Sequence, residues 1–93
     1  MENIIKELKG KNFKEGRNII ESNFKVDNSK LYSNVEDGRI DIYEYVEDND
    51  NWICFTAPCE EVENDQPNID YSNGYWTVSI DNEVTTELEI KRY

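Results

Sequence analysis

Histidine is absent from this chain, and cysteine occurs only twice. Without imidazole, a serine or cysteine nucleophile lacks its usual base, and neither cysteine has an activating neighbour in sequence. Cys54 and Cys59 stand five apart, which matches neither a C-x-x-C redox pair nor a zinc spacing. They are expected as two reduced thiols of a cytosolic protein, a bridge across a strand end being the alternative in an oxidising compartment. Long apolar runs are missing too. Nothing approaches the ~20 residues of a membrane span, and MENIIKELKGK carries no basic segment leading into an apolar one, so no signal peptide is expected. No catalysis, cofactor or metal site is expected. The tip EDNDN (Glu47–Asn51) comes nearest to a calcium loop, but from Asp48 the fifth place is Trp52 and the sixth Ile53, where a ligand and a glycine are required.

Basic residues are scarce where acids are dense. Ten Lys/Arg face 21 Asp/Glu, a net charge of −11. Residues 1–35 carry +2, residues 36–65 carry −10 with Arg39 as their one base, and residues 66–93 carry −3. Such clustering lowers stability by self-repulsion but steers basic partners in. Direct DNA or RNA binding is excluded, because phosphates need a basic footprint, and an anionic membrane is excluded for the same reason.

What is present suffices for one folded domain, residues 1–93. Hydrophobic residues make up 37% and aromatics 12%, enough to argue against disorder. A chain this short buries roughly 60–65% of its unfolded surface.

Residues 2–9 read as a short helix, with Ile4, Ile5 and Leu8 on one side and Gly10 placed to close it. Residues 11–17 are ambiguous, since Gly16 weakens a second helix anchored by Phe13 and Ile20. From Ile20 the apolar residues recur at period two through Phe24 and Val26, the pattern of a strand with one buried face. A loop at Asp27–Lys30 then sets Val26 opposite Leu31. Asp37–Gly38 is a type I′ hairpin signal, pairing Val35 with Ile40 and Tyr32 with Tyr43. A loop at Asp48–Asn51 sets Val46 opposite Ile53 and Tyr45 opposite Cys54. These turns agree on one core face: Phe24, Val26, Leu31, Val35, Ile40, Ile42, Val46, Ile53 and Phe55. Residues 58–74 form a long acidic loop, of a length often associated with function. The final segment is a hairpin, in which a three-residue loop through Glu83 pairs Ile80 with Val84 and Trp76 with Leu88. The expected fold is α+β: a short N-terminal helix packed on an antiparallel sheet, made of a four-stranded meander plus a C-terminal hairpin.

This register turns Tyr43, Tyr45, Trp52 and Cys54 away from the core, joined by Tyr32. They are either a second buried layer or an open aromatic patch rimmed by Asp41, Glu47, Asp48 and Asp50. Tyrosine and tryptophan anchor interfaces, and carboxylates around them favour Arg- and Lys-rich partners. Glu60, Glu61 and Glu63 in the long loop form a second candidate patch.

The stretch ENIIKELKGKNF (Glu2–Phe13), a lysine-bearing helix ahead of an acidic sheet, resembles the opening of small phage-borne anti-CRISPR proteins. It spans twelve residues of the 93 and assigns no residue a role. Members of that group that block a Cas nuclease cover its PAM-reading site with acidic surfaces. The resemblance implies a cytoplasmic inhibitor that binds the basic groove of a Cas effector. The alternatives are an immunity protein against another nuclease, a toxin, and a small structural or accessory phage protein.

Overall fold

The computed structural model describes residues 2–60 and 67–88. The first helix is present as α1 (Glu2–Leu8), and Gly10 follows it in the left-handed conformation, φ 78°. The strand expected from Ile20 to Val26 is not there. A second helix, α2, runs from Phe13 to Asn23. Its start is set by a capping box: the Asn12 side chain accepts from the Glu15 N–H at 2.8 Å, and Glu15 Oε1 accepts from the Asn12 N–H. Phe13, Gly16 and Ile20 also lie on one helical face, so the apparent alternation was a sampling of a 3.6-residue period. Ser22 and Asn23 are exposed and bond back to the carbonyls of Asn18 and Ile19.

After a 3-10 turn at Asn28–Lys30, capped by the Asp27 side chain, the chain enters a six-stranded sheet. Its strands are β1 (Ser33–Glu36), β2 (Arg39–Asp48), β3 (Asn51–Glu60), β4 (Asn68–Ile69), β5 (Tyr75–Ile80) and β6 (Glu83–Leu88). The order is β1-β2-β3-β5-β6, and β4 pairs with the far end of β3. All pairs are antiparallel. The α+β class with helix packed on antiparallel sheet is therefore as expected, but the meander has three strands, because its first expected strand is helical. Of the loop expected over 58–74, residues 58–60 extend β3, Asn68–Ile69 form β4 and Tyr71–Asn73 a 3-10 turn, while residues 61–66 lie outside the described residues.

The β1–β2 hairpin has the expected register. Val35 lies opposite Ile40, and Asp37 and Gly38 take φ 52° and 77°, as a type I′ turn requires. The β2–β3 register departs from expectation. Asp48 faces Asn51 at the tip, but register shifts follow between Asp48 and Val46 and again between Tyr45 and Tyr43. Ile53 therefore meets Tyr45, Cys54 meets Tyr43, and Val46 meets Trp52 on the opposite face. A bulge places two successive side chains opposite one residue. Here Glu44 and Tyr45 share the inner face, and Tyr45 stacks on Phe24 with ring centroids 4.5 Å apart.

The core lies between the helices and this inner face. Ile4 and Leu8 of α1 and Ile20 of α2 pack with Ile40, Ile53, Phe55, Ala57, Trp76 and Val78. Phe24, Val26, Leu31 and Ile42 are half-buried at its margin, while Val35, expected inside, is 37% exposed on the edge strand. Cys54 and Cys59, both buried free thiols, project to opposite faces of β3. The C-terminal hairpin uses a two-residue turn, not three: Asp81 and Asn82 take φ 51° and 68°, and Ile80 pairs with Glu83. A register shift between Val78 and Trp76 restores the expected Trp76–Leu88 pairing.

Candidate functional site

The face of the sheet turned away from the helices has a small, polar centre and aromatic flanks. Cys54 and Thr56 of β3 and Thr77 and Ser79 of β5 are buried in it. Tyr32, 56% exposed, stacks on Tyr43 with centroids 4.3 Å apart, and Trp52 meets the edge of Tyr43 at 5.5 Å. Burial, then the contact with Tyr32, pushes the Tyr43 phenol well above its ordinary pKa. Asp41 lies beside this stack and accepts a 2.7 Å hydrogen bond from Thr56 Oγ1, its cross-strand partner.

At one end of the face, two hairpin tips are joined. The Asp50 carbonyl accepts from Ser79 Oγ at 2.9 Å and from the Asn82 N–H at 3.0 Å, while Asn51 Oδ1 accepts from the Asp81 N–H at 3.0 Å. The Asp48–Asn51 turn is thereby joined to the Asp81–Asn82 turn at one end of the sheet, where Glu47, Asp48, Asp50, Asp81 and Glu83 are all exposed. Asp48 accepts from the Asn51 side chain and the Asp50 N–H, which hold its carboxyl below the usual range and keep it charged. Lys30 stands near, its Nζ donating to the Glu47 carbonyl at 3.4 Å.

The structure thus brings together Asp41, Tyr43, Glu47, Asp48, Asp50 and Trp52, and separates the rest. Tyr45 is on the helix side, removed from the patch by the bulge at Glu44. Glu60 is exposed at the far end of β3, roughly 30 Å from Asn51 at ~3.3 Å per residue. Glu61 and Glu63 lie outside the described residues. Asp81 and Glu83 join the acidic end although they are remote in sequence. Their signal was present in the acidic Asp-Asn turn, but only the β3–β5 pairing shows which tip it adjoins.

No family model, curated protein or solved structure matches this chain.

Among the described residues, no three Asp, Glu or Cys side chains converge as a metal set, and no helix is long and apolar enough to cross a membrane. Burial pushes the Cys54 thiol up to about 12, so it is held protonated and poorly nucleophilic. What the face presents is an aromatic stack with carboxylates beside it.

Proposed function

We propose that this protein is an acidic inhibitor, without catalysis of its own, that occupies the basic nucleic-acid groove of a host defence effector in the manner of an anti-CRISPR. The observation that carries this reading is the joined tip, where the exposed Asp48 and Asp50 adjoin the Asp81 turn next to Trp52, whose indole meets the Tyr43–Tyr32 stack. Such a surface presents charge where a nucleic-acid groove expects phosphates, and aromatics where it expects bases. Fixed carboxylates steer a basic partner and set the rate of encounter, while desolvated aromatics slow its departure. The site of action would be the cytoplasm of a phage-infected cell.

The test is competition. Purified protein, added to a panel of guide-loaded Cas effectors, should abolish target binding in a mobility-shift assay. A variant neutralised at the joined tip should not. If no effector is blocked but a nuclease toxin is neutralised, the immunity-protein reading replaces this one. If neither is affected and the chain self-assembles, it is a structural phage protein.

A further inference from the structure

On the helix side of the sheet a groove of about 220 Å³ opens between α2, the Asn28 turn and β2. Its lining is mixed: Ile20, Phe24, Val26 and Leu31 supply an apolar part, Arg17, Glu21 and Asn28 a polar one, and Glu44 also lines it. The bulge put Glu44 there. Only 9% of the Glu44 side chain is exposed, and no donor but Arg17 stands against it among the described residues. Arg17 is a loose partner. Its Nε lies 3.5 Å from Glu44 and 3.6 Å from Glu21, and its side chain is 54% exposed. A close charge-assisted pair is shorter, at ~2.7–2.9 Å, and commonly uses both arms of the fork. Among the residues that line the groove two carboxylates share one guanidinium, and Lys30 on the bordering turn is engaged instead with the Glu47 carbonyl.

We propose that this groove receives one arginine side chain of the basic partner, its methylenes along the apolar part of the lining and its guanidinium on Glu44. The proposal rests on the inhibitor reading above for the partner's chemistry. The groove is smaller than the ~300–1,000 Å³ of a drug-sized site, which suits a single side chain. Guanidinium is more weakly hydrated than ammonium and pairs with carboxylates at partly buried sites, which favours arginine over lysine. The groove also adjoins the acidic end: the turn that borders it is tied to β2 by the Lys30–Glu47 bond.

The test uses the intact protein and small probes, followed by amide NMR shifts. Acetyl-Gly-Arg-Gly-amide should perturb Ile20, Phe24, Leu31 and Glu44 saturably, and bind at least tenfold more tightly than the same peptide with neutral citrulline. Glu44→Gln, with its fold checked in the same spectra, should lose that tenfold. Arg17→Ala should tighten binding by threefold or more, because it removes the resident competitor; a merely structural ion pair would produce no such gain. Equal binding of arginine and citrulline peptides, or full binding by Glu44→Gln, overturns the proposal. So does binding of n-butylguanidinium with exclusion of the peptide, which would assign the groove to a free small molecule. An arginine peptide that binds while no effector is blocked would keep the pocket and remove only the inhibitor reading.

Discussion

Gly16 in the middle of α2 lies directly against the indole of Trp76. A Cβ at position 16 would stand 2.3 Å from Trp76 Cζ2, closer than any real carbon contact. The indole Nε1 is buried there without a hydrogen-bond partner among the described residues, so the site is packed for shape and not for polar satisfaction. Gly16→Ala isolates this contact. Alanine favours an exposed helix by ~1 kcal/mol over glycine, yet here it should destabilise the protein by about 1–3 kcal/mol through overpacking. Denaturant unfolding measures the sign; a stabilised variant would mean that α2 does not sit on Trp76.

The buried Glu44 makes stability depend on pH. Desolvation raises its pKa above 4.5, the Arg17 charge opposes that shift, and Glu21 adds to it. A carboxyl whose folded pKa is raised binds more protons in the folded state, so its favourable contribution is complete below the unfolded pKa and is lost as pH rises through the folded value. Glu44→Gln lacks this loss. Its stability relative to wild type should therefore increase between pH 4 and pH 7, as measured by urea midpoints across that range. Asp27, Asp48 and Asp70, whose pKa values are lowered by hydrogen bonds from neighbouring turn residues, act oppositely in both proteins. Their contribution is present above the unfolded pKa and is lost as pH falls through the folded one.

Charge and aromatic substitutions at the joined tip should separate kinetically. Neutralising Glu47, Asp48 and Asp50 to Gln, Asn and Asn should slow association with the partner and flatten its salt dependence, since steering is screened over a Debye length of ~8–10 Å. Thermal stability should change little, because relief of like-charge repulsion is offset by loss of the charge that the Asp48 hydrogen bonds favour. Trp52→Ala should instead speed dissociation, at a cost of ~2 kcal/mol or more if the indole is an anchor. Surface plasmon resonance at two salt concentrations distinguishes the two effects. Unchanged rates in both variants would leave the acids as a solubilising surface.

Both thiols should resist alkylation in the native protein and react after unfolding without reductant, giving two adducts by intact mass. They project to opposite faces of one strand, roughly 16 Å apart along it at ~3.3 Å per residue, whereas a disulfide needs Cα atoms within ~7 Å. A mass two hydrogens short, with no adduct after unfolding, would contradict this placement.

Much of the architecture was legible from short-range pattern. The α1 helix with its glycine stop, the Asp37–Gly38 hairpin, the Val35–Ile40 and Tyr32–Tyr43 pairings and the inward set Ile40, Ile42, Ile53 and Phe55 follow from turn chemistry and period-two alternation. The α2 helix was legible too, through the Asn12–Glu15 capping box. It was obscured because Ile20 and Phe24 satisfy both periods and Gly16 argues against a helix until its tertiary neighbour is known. Glu44 marked the bulge: a lone acid at an inward position between Ile42 and Val46.

What the sequence by itself determined is the charge, its concentration between residues 36 and 65, and the local elements whose signals lie within a few residues of one another. Tertiary structure decided the rest, because a bulge costs little locally and is selected by what packs around it. The extra residue at Glu44 turns Tyr45 onto Phe24, sends Val46 outward and buries a carboxylate beside Arg17. The pairing of β3 with β5 joins the Asp81–Asn82 turn to the Asp50–Asn51 tip, and leaves Glu60 at the other end of the sheet. Those placements arise from contacts between residues tens of positions apart, where side-chain volume and hydrogen-bond satisfaction outweigh local propensity.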